Sequence, residues 1–205
     1  ETAVIAAAYE PDNGPLVIAD YADNPGAGGY GDSTALLHAL LKAGVANACF
    51  GPMVDREAAQ VLHATAVGQR VQIALGGKAD PSFGGGPLAV EGELISISDG
   101  RFTGDGPMIH GLSGSFGPSA VLRVDGIEIL VVTRARQILD LQQFKAFGID
   151  PQSKHVVALK SMQHFRAAFE PIAGQVIVCD SGALCTPRYN RLPYRNVPRP
   201  IFPLD

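Results

Sequence analysis

The chain has no tryptophan and only three cysteines among its 205 residues. Cys49, Cys179 and Cys185 form no CxxC pair, and an odd number of thiols argues against a disulfide framework. A reducing compartment follows, and the expected localisation is cytoplasmic. Positive charge is also short: 16 Lys and Arg against 20 Asp and Glu give a net charge of −4. The basic residues are scattered, so no electrostatic footprint for nucleic acid is written into the chain. No apolar run reaches the roughly 18 residues that span a bilayer, and no charged-then-apolar leader opens the sequence. Neither nucleic acid nor membrane is therefore an expected partner. The first residue is Glu1 rather than Met, which leads us to expect a piece of something longer.

Several chemical signatures are missing as well. His38, His63, His110, His155 and His164 show no HExxH, HxH or HxxxH spacing, so no local zinc site is written here and no metal ligand is assigned. The stretch GLSGS at residues 111–115 fails as a hydrolase nucleophile elbow, because Ser115 stands where a GxSxG motif needs glycine. No Lys follows the glycines of residues 26–31 as a Walker loop requires, and nucleotide binding is poorly supported.

What is present is strand–helix alternation. LVIADY, residues 16–21, is a short apolar run with the length of a buried strand, and it feeds the glycine-rich stretch DNPGAGGYGDST. A helix follows with Leu36, Leu37, Leu40 and Leu41 on one face, Asp32 or Ser33 as N-cap and Gly44 as stop. A second unit pairs ANACFGPM with a helix that Asp55 caps and that Ala58, Ala59, Leu62 and Ala66 line. From Arg70 to about Arg136 the helical period gives way to strands, with Asp-Gly turns predicted in VDGIEI and SDGRF. The helix pattern of DLQQFKAFG, the strand HVVALK, the segment SMQHFRAAFEPI and the strand QVIVCD then restore the first pattern. The tail from Thr186 carries five prolines and is expected to lie extended across the body, anchored by Tyr189, Tyr194, Ile201 and Phe202. The predicted fold is α/β: a mostly parallel sheet with flanking helices plus an inserted antiparallel β subdomain. Residues 1–205 form one domain, with 1–69 and 137–205 as the α/β layer and 70–136 as the β subdomain.

In such sheets ligands gather at the carboxyl ends of strands, where two loops qualify. In the first, bare amides ahead of a helix make a natural cradle for a carboxylate. Asn24, Ser33 and Thr34 add side-chain hydrogen bonds. The same composition also describes a turn with a helix cap. In the second, KSMQHFR, Lys160 and Arg166 can clamp an anion while His164 donates to a developing oxyanion or orients a water. Alternatively Phe165, Ala168 and Phe169 are core and the basic side chains are a solvated face.

Taken in order, VIADYADNPGAGGYGDSTALLHALL, GPMVDREAA, LGGK, SDGRF, GPSAVLRVDGIEILVVT, QILDLQQFKAFGIDP and ALKSMQHFRAAFEPIA resemble the C-terminal region of the microcystinase C family of metallopeptidases. The family's DNPGGG appears here as DNPGAGG, interrupted by Ala27. The resemblance implies a hydrolase acting on peptide or amide bonds, in which an N-terminal metallopeptidase domain supplies the zinc ligands and the catalytic carboxylate. That half is absent from this chain, so zinc is expected in the full-length protein and none on the chain alone. Its founding members act on linearised microcystin and its peptide fragments, which makes a peptide-like substrate the expected ligand. The two loops would then line the cleft facing the zinc half. His164 and Arg166 become the catalytic candidates, with Asn24, Gly26, Gly28, Gly29, Asp32, Ser33, Thr34, Lys160 and Ser161 as the substrate-binding set. Two other readings compete: a stand-alone binding module for a small anionic metabolite, and an independent enzyme using Lys160, Ser161 and His164.

Overall fold

A computed structural model describes residues 1–205. Helices α1 (Thr2–Ala7), α2 (Ala35–Lys42) and α3 (Arg56–His63) are joined by strands β1 (Leu16–Asp20) and β2 (Ala48–Val54). Strands β3 (Arg70–Leu75), β4 (Leu88–Ser98), β5 (Arg101–Thr103), β6 (Ser113–Ser115), β7 (Ser119–Val124) and β8 (Ile127–Val132) follow. The chain closes with α4 (Gln142–Lys145), β9 (Val156–Leu159), α5 (Arg166–Phe169) and β10 (Gln175–Cys179). Eight strands make one sheet in the order β10-β1-β9-β2-β8-β7-β4-β3, while β5 and β6 form a separate ribbon.

Pairing is parallel from β10 to β8 and antiparallel from β8 to β3. The two halves therefore meet at β8, and most of the strand content of residues 70–136 extends the parallel sheet edge to edge. Sequence patterning follows the change. β1 and β9 are buried at every position, as strands covered on both faces must be. At the far edge β3 alternates exposed and half-buried residues, with Arg70 paired across to Glu91.

Each sheet face carries its own core. On one, Leu36, Leu37 and Leu40 of α2 and Ala58, Ala59 and Leu62 of α3 pack over Ile18, Phe50 and Ile129. On the other, Phe102, Phe116, Phe144, Phe147, Phe165 and Phe169 cover Val17, Leu130 and Val157. The aromatic face needs only single helical turns at α4 and α5, because large rings fill space that α2 and α3 fill with whole helices.

The turns explain the boundaries. Asp125 and Gly126 both take positive φ, 46° and 87°, as the tight hairpin between β7 and β8 requires. SDGRF behaves differently: it carries the chain out of the sheet, and β5 pairs with β6 rather than with β4. Asp55 caps α3 as expected, accepting from the Ala58 amide at 3.0 Å, although the helix stops before Ala66. At α2 the N-cap position belongs to Thr34, whose side chain makes no capping bond. The Gly84 carbonyl takes the amides of Thr34 and Ala35 instead, so a loop distant in sequence does the work predicted for Asp32 or Ser33.

The tail departs from expectation. Tyr189, Tyr194, Ile201 and Phe202 are 44%, 42%, 40% and 92% exposed, and of the four predicted anchors Tyr189 is the one that borders a hollow shared with the body, beside Tyr21 and Met162. All four line a hollow of about 370 Å³ together with Val197 and Leu204, and the tail clusters with itself.

Candidate functional site

β1 and β9 are neighbours and run parallel, so the loops that leave them emerge side by side at the carboxyl edge of the sheet. Lys160, the first residue after β9, is 1% exposed and reaches across to the first loop. Its ammonium forms an ion pair with Asp23 and donates to the carbonyls of Gly31 and Ser33, each at 2.9 Å. All three Nζ protons are thereby used. Asp23, also fully buried, receives the Gly31 amide at 2.8 Å and the Ser33 amide at 2.7 Å. The anion that the glycine loop cradles is the chain's own carboxylate.

The remaining loop groups are similarly engaged. Asn24 accepts from the Gly26 amide at 2.9 Å, and the amides of Ala27, Gly28 and Gly29 bond to the carbonyls of Asn24 and Pro25. Gly26, Gly28 and Gly31 stand at GxGxxG spacing, yet these internal bonds leave no nest for a pyrophosphate. Gly29 and Gly31 are sterically required: a Cβ would lie 2.9 Å from the Asn24 carbonyl oxygen in the first case and 2.6 Å from the Val54 side chain in the second. Asp32 accepts from the amides of Lys78 and Ala79. Ser33 and Thr34 donate to the carbonyls of Gly84 and Gly86. A second glycine-rich segment, residues 76–86, thus braces the first.

These bonds sort the predicted residues. Asn24, Asp32, Ser33, Thr34 and Lys160 are buried and form the frame, whereas Gly26 and Gly28 form an exposed tip. Ser161 is buried and receives a hydrogen bond from Gln137 at 2.8 Å. The same amide nitrogen lies 3.4 Å from Nδ1 of His164, whose side chain is exposed. Gln137 also sits where a Cβ on Gly26 would fall, so it stitches the two loops together at the surface. Arg166 lies over the Phe165 ring, donates to Gln163 at 2.8 Å and pairs with Glu170. Lys160, Ser161 and His164 do not form a nucleophile-and-base array, since Lys160 is spent on Asp23 and no hydrogen bond joins Ser161 to His164.

Two hollows flank the Gly26–Gly28 tip. One, of about 530 Å³, is mainly apolar and is bordered by Gly28, Met162, Gln163 and Cys185. The other, of about 360 Å³, is bordered by Gly26, Gln137, Arg136 and Phe102. Burial, with the carboxylates of Asp23 and Asp20, pushes the Cys185 thiol up, so it is a poor nucleophile near neutrality.

Asp20 and Gln137 are missing from the predicted set. Asp20 ends β1, is 1% exposed and has one carboxylate oxygen without a partner. Burial pushes its pKa up to about 6 against the opposing pull of Lys160. Nothing in its local sequence separates it from an ordinary strand-end Asp. Gln137 follows the sequence RAR, whose significance depends on where the chain runs after β8.

Metal binding can be tested on these residues directly. Nowhere do three His, Cys, Asp or Glu side chains converge as a metal ion requires. At this edge Asp23 already serves two amides and an ammonium, so the residues present do not fit a metal ion by themselves.

Comparison with known proteins agrees with this architecture. The family model described as the MlrC C-terminus matches residues 18–196. Microcystinase C from Sphingomonas sp. is 29% identical over 208 aligned positions, covering 100% of this chain and 38% of that protein. The crystal structure of a Mesorhizobium sp. BNC1 protein assigned as a metallopeptidase superposes with a TM-score of 0.88 at 26% identity, covering 100% of this chain and 40% of that one. The chain thus spans about two-fifths of the length of the relatives it matches. With a match across nearly its whole length, the chain belongs to the MlrC C-terminus family.

Proposed function

We propose that this chain is the C-terminal, cleft-forming portion of a microcystinase C-like zinc metallopeptidase acting on peptide or amide bonds. What carries the reading is the meeting of the two loops at one sheet edge, around an exposed tip flanked by two hollows, in a chain that spans two-fifths of its relatives. An N-terminal metallopeptidase domain of the same protein supplies the zinc ligands, since this edge does not fit a metal ion by itself. The chain's own contribution is substrate placement. Gly26 and Gly28, whose amides are spent inside the loop, offer their carbonyls at an exposed tip backed rigidly by Asp23, Asp32, Ser33, Thr34 and Lys160. His164, oriented beside Gln137, donates to charge developing on a peptide oxygen, and Arg166 binds substrate charge nearby. Free thiols at Cys49, Cys179 and Cys185 favour a cytoplasmic setting.

The test is made in the full-length protein with a peptide substrate. Replacing His164 or Arg166 by Ala is expected to lower kcat by about 10²–10³, the cost of one lost oxyanion donor, with zinc content and melting temperature unchanged. Unchanged turnover per folded molecule in both variants would remove the KSMQHFR loop from catalysis.

A further inference from the structure

The β5–β6 ribbon belongs to no other sheet, and a groove of about 990 Å³ runs between it and the segment after β8. Three guanidinium groups line this groove: Arg101, Arg134 and Arg136. Arg134 and Arg136 are neighbours in the RAR segment, and the fold brings Arg101, 33 residues earlier in the sequence, against them. Arg101 pairs with exposed Asp99 at 3.3 Å, the single acid on the groove wall. Arg134 and Arg136 take part in none of the chain's ion pairs. Arg136 is oriented nonetheless, since its Nε donates to the Ser115 carbonyl at 3.0 Å and its fork remains free. In a chain of net charge −4, an arginine-lined concavity with one acid runs against the overall sign.

The groove also has a direction. Phe102, Ser113, Gly114 and Arg136 border both it and the 360 Å³ hollow beside Gly26 and Gln137. The arginine groove and the hollow beside the glycine tip therefore adjoin, with these four residues common to both. Planar guanidinium forks match carboxylates bidentately. No exposed aromatic ring is available in the groove for base stacking, since Phe102 is 6% exposed.

We propose that this groove is a subsite for a carboxylate-bearing stretch of an extended acidic peptide, which it holds across the cleft. The proposal rests on the peptidase reading for its choice of ligand, but it is tested by binding alone. The probe is a fluorescent hexapeptide carrying three Glu residues, titrated into the full-length protein beside its Gln analogue. The acidic peptide is expected to bind at least about tenfold tighter than the analogue, as bonds to charged groups warrant, and to weaken between about 50 and about 200 mM salt. Arg134→Gln with Arg136→Gln should abolish that preference, while Arg70→Gln on distant β3 should preserve it. Both groove positions are exposed, and melting curves verify that the variants remain folded. Equal affinity for the two peptides, or a preference that survives in the folded double variant, overturns the proposal. Tighter binding of a single-stranded oligonucleotide than of the acidic peptide overturns it too. Failure of the full-length protein to hydrolyse any peptide would refute the peptidase reading instead, and would leave the measured charge preference as it stands.

Discussion

The glycine-loop frame and the arginine groove lie along the same flank of the molecule and use their charges in opposite ways. In the frame, Lys160 and Asp23 are each 1% exposed at the side chain and every proton of the ammonium has an acceptor inside the chain. In the groove, Arg134 and Arg136 are exposed and have no acidic partner. A saturated charge inside a protein holds loops in place; an oriented but unsaturated one is free to meet a ligand. Lys160 therefore belongs to the scaffold, although its sequence context made it an anion clamp.

Removing Lys160 should have the largest effect and is the sharpest way to break this contrast. Lys160→Met leaves Asp23 as an uncompensated buried carboxylate and strips two carbonyls of their donor. The expected loss is about 3–5 kcal/mol, as for other broken buried pairs, or roughly 6–20 °C in a chain of this size. Adding Asp23→Asn should recover part of the loss, because the orphaned charge disappears. Thermal melts of both single variants and the double variant give the coupling directly. A Lys160→Met protein with unchanged melting temperature and weakened ligand binding would return Lys160 to the clamp role.

Asp20 lies against the same frame and differs from Asp23 in having no adequate partner. Its pKa is raised from an ordinary 3.8 to about 6, chiefly by burial, so the folded state holds a proton that the unfolded state releases. The stabilising contribution of this group is full below about pH 4 and is lost as pH rises through about 6. By linkage the cost of the buried charge above that range is on the order of 3 kcal/mol. Asp20→Asn should accordingly melt higher than the parent at about pH 8 and level with it at about pH 4. A variant less stable than the parent at the higher pH would mean that the charged oxygen has a partner.

Much of the fold was legible because its signals are local. The unbroken burial of LVIAD and VVAL, the Asp-Gly turn at Asp125 and the Asp55 cap each follow from a few adjacent residues. So does the position of the two loops, since both follow buried parallel strands. Which loop groups are free was not legible. Asp23 looks like any turn Asp until Lys160, 137 residues away, is brought against it. Gly84 capping α2 and the grouping of Arg101 with Arg134 and Arg136 depend on tertiary proximity in the same way. The proline-rich tail fails for another reason: apolar side chains in sequence indicate something to bury, without saying against what.

The tail supplies the smallest expected effect and a third kind of surface for the comparison, apolar rather than charged. Phe202 is 92% exposed, and nearby the chain end is tied locally by Arg199 to Asp205 at 2.7 Å and by the Ile201 amide to the same carboxylate at 2.8 Å. Neither bond reaches the sheet. Phe202→Ser therefore removes almost no buried apolar area and should change stability by no more than about 0.5 kcal/mol, the range of ordinary surface substitutions. For a chain of this length that is about 1–2 °C in melting temperature. Chain 1–205 and its Phe202→Ser variant can be melted side by side. A fall of about 6 °C or more would require Phe202 to be packed against the body as the sequence pattern suggested, because only core-like burial supplies an effect of that size.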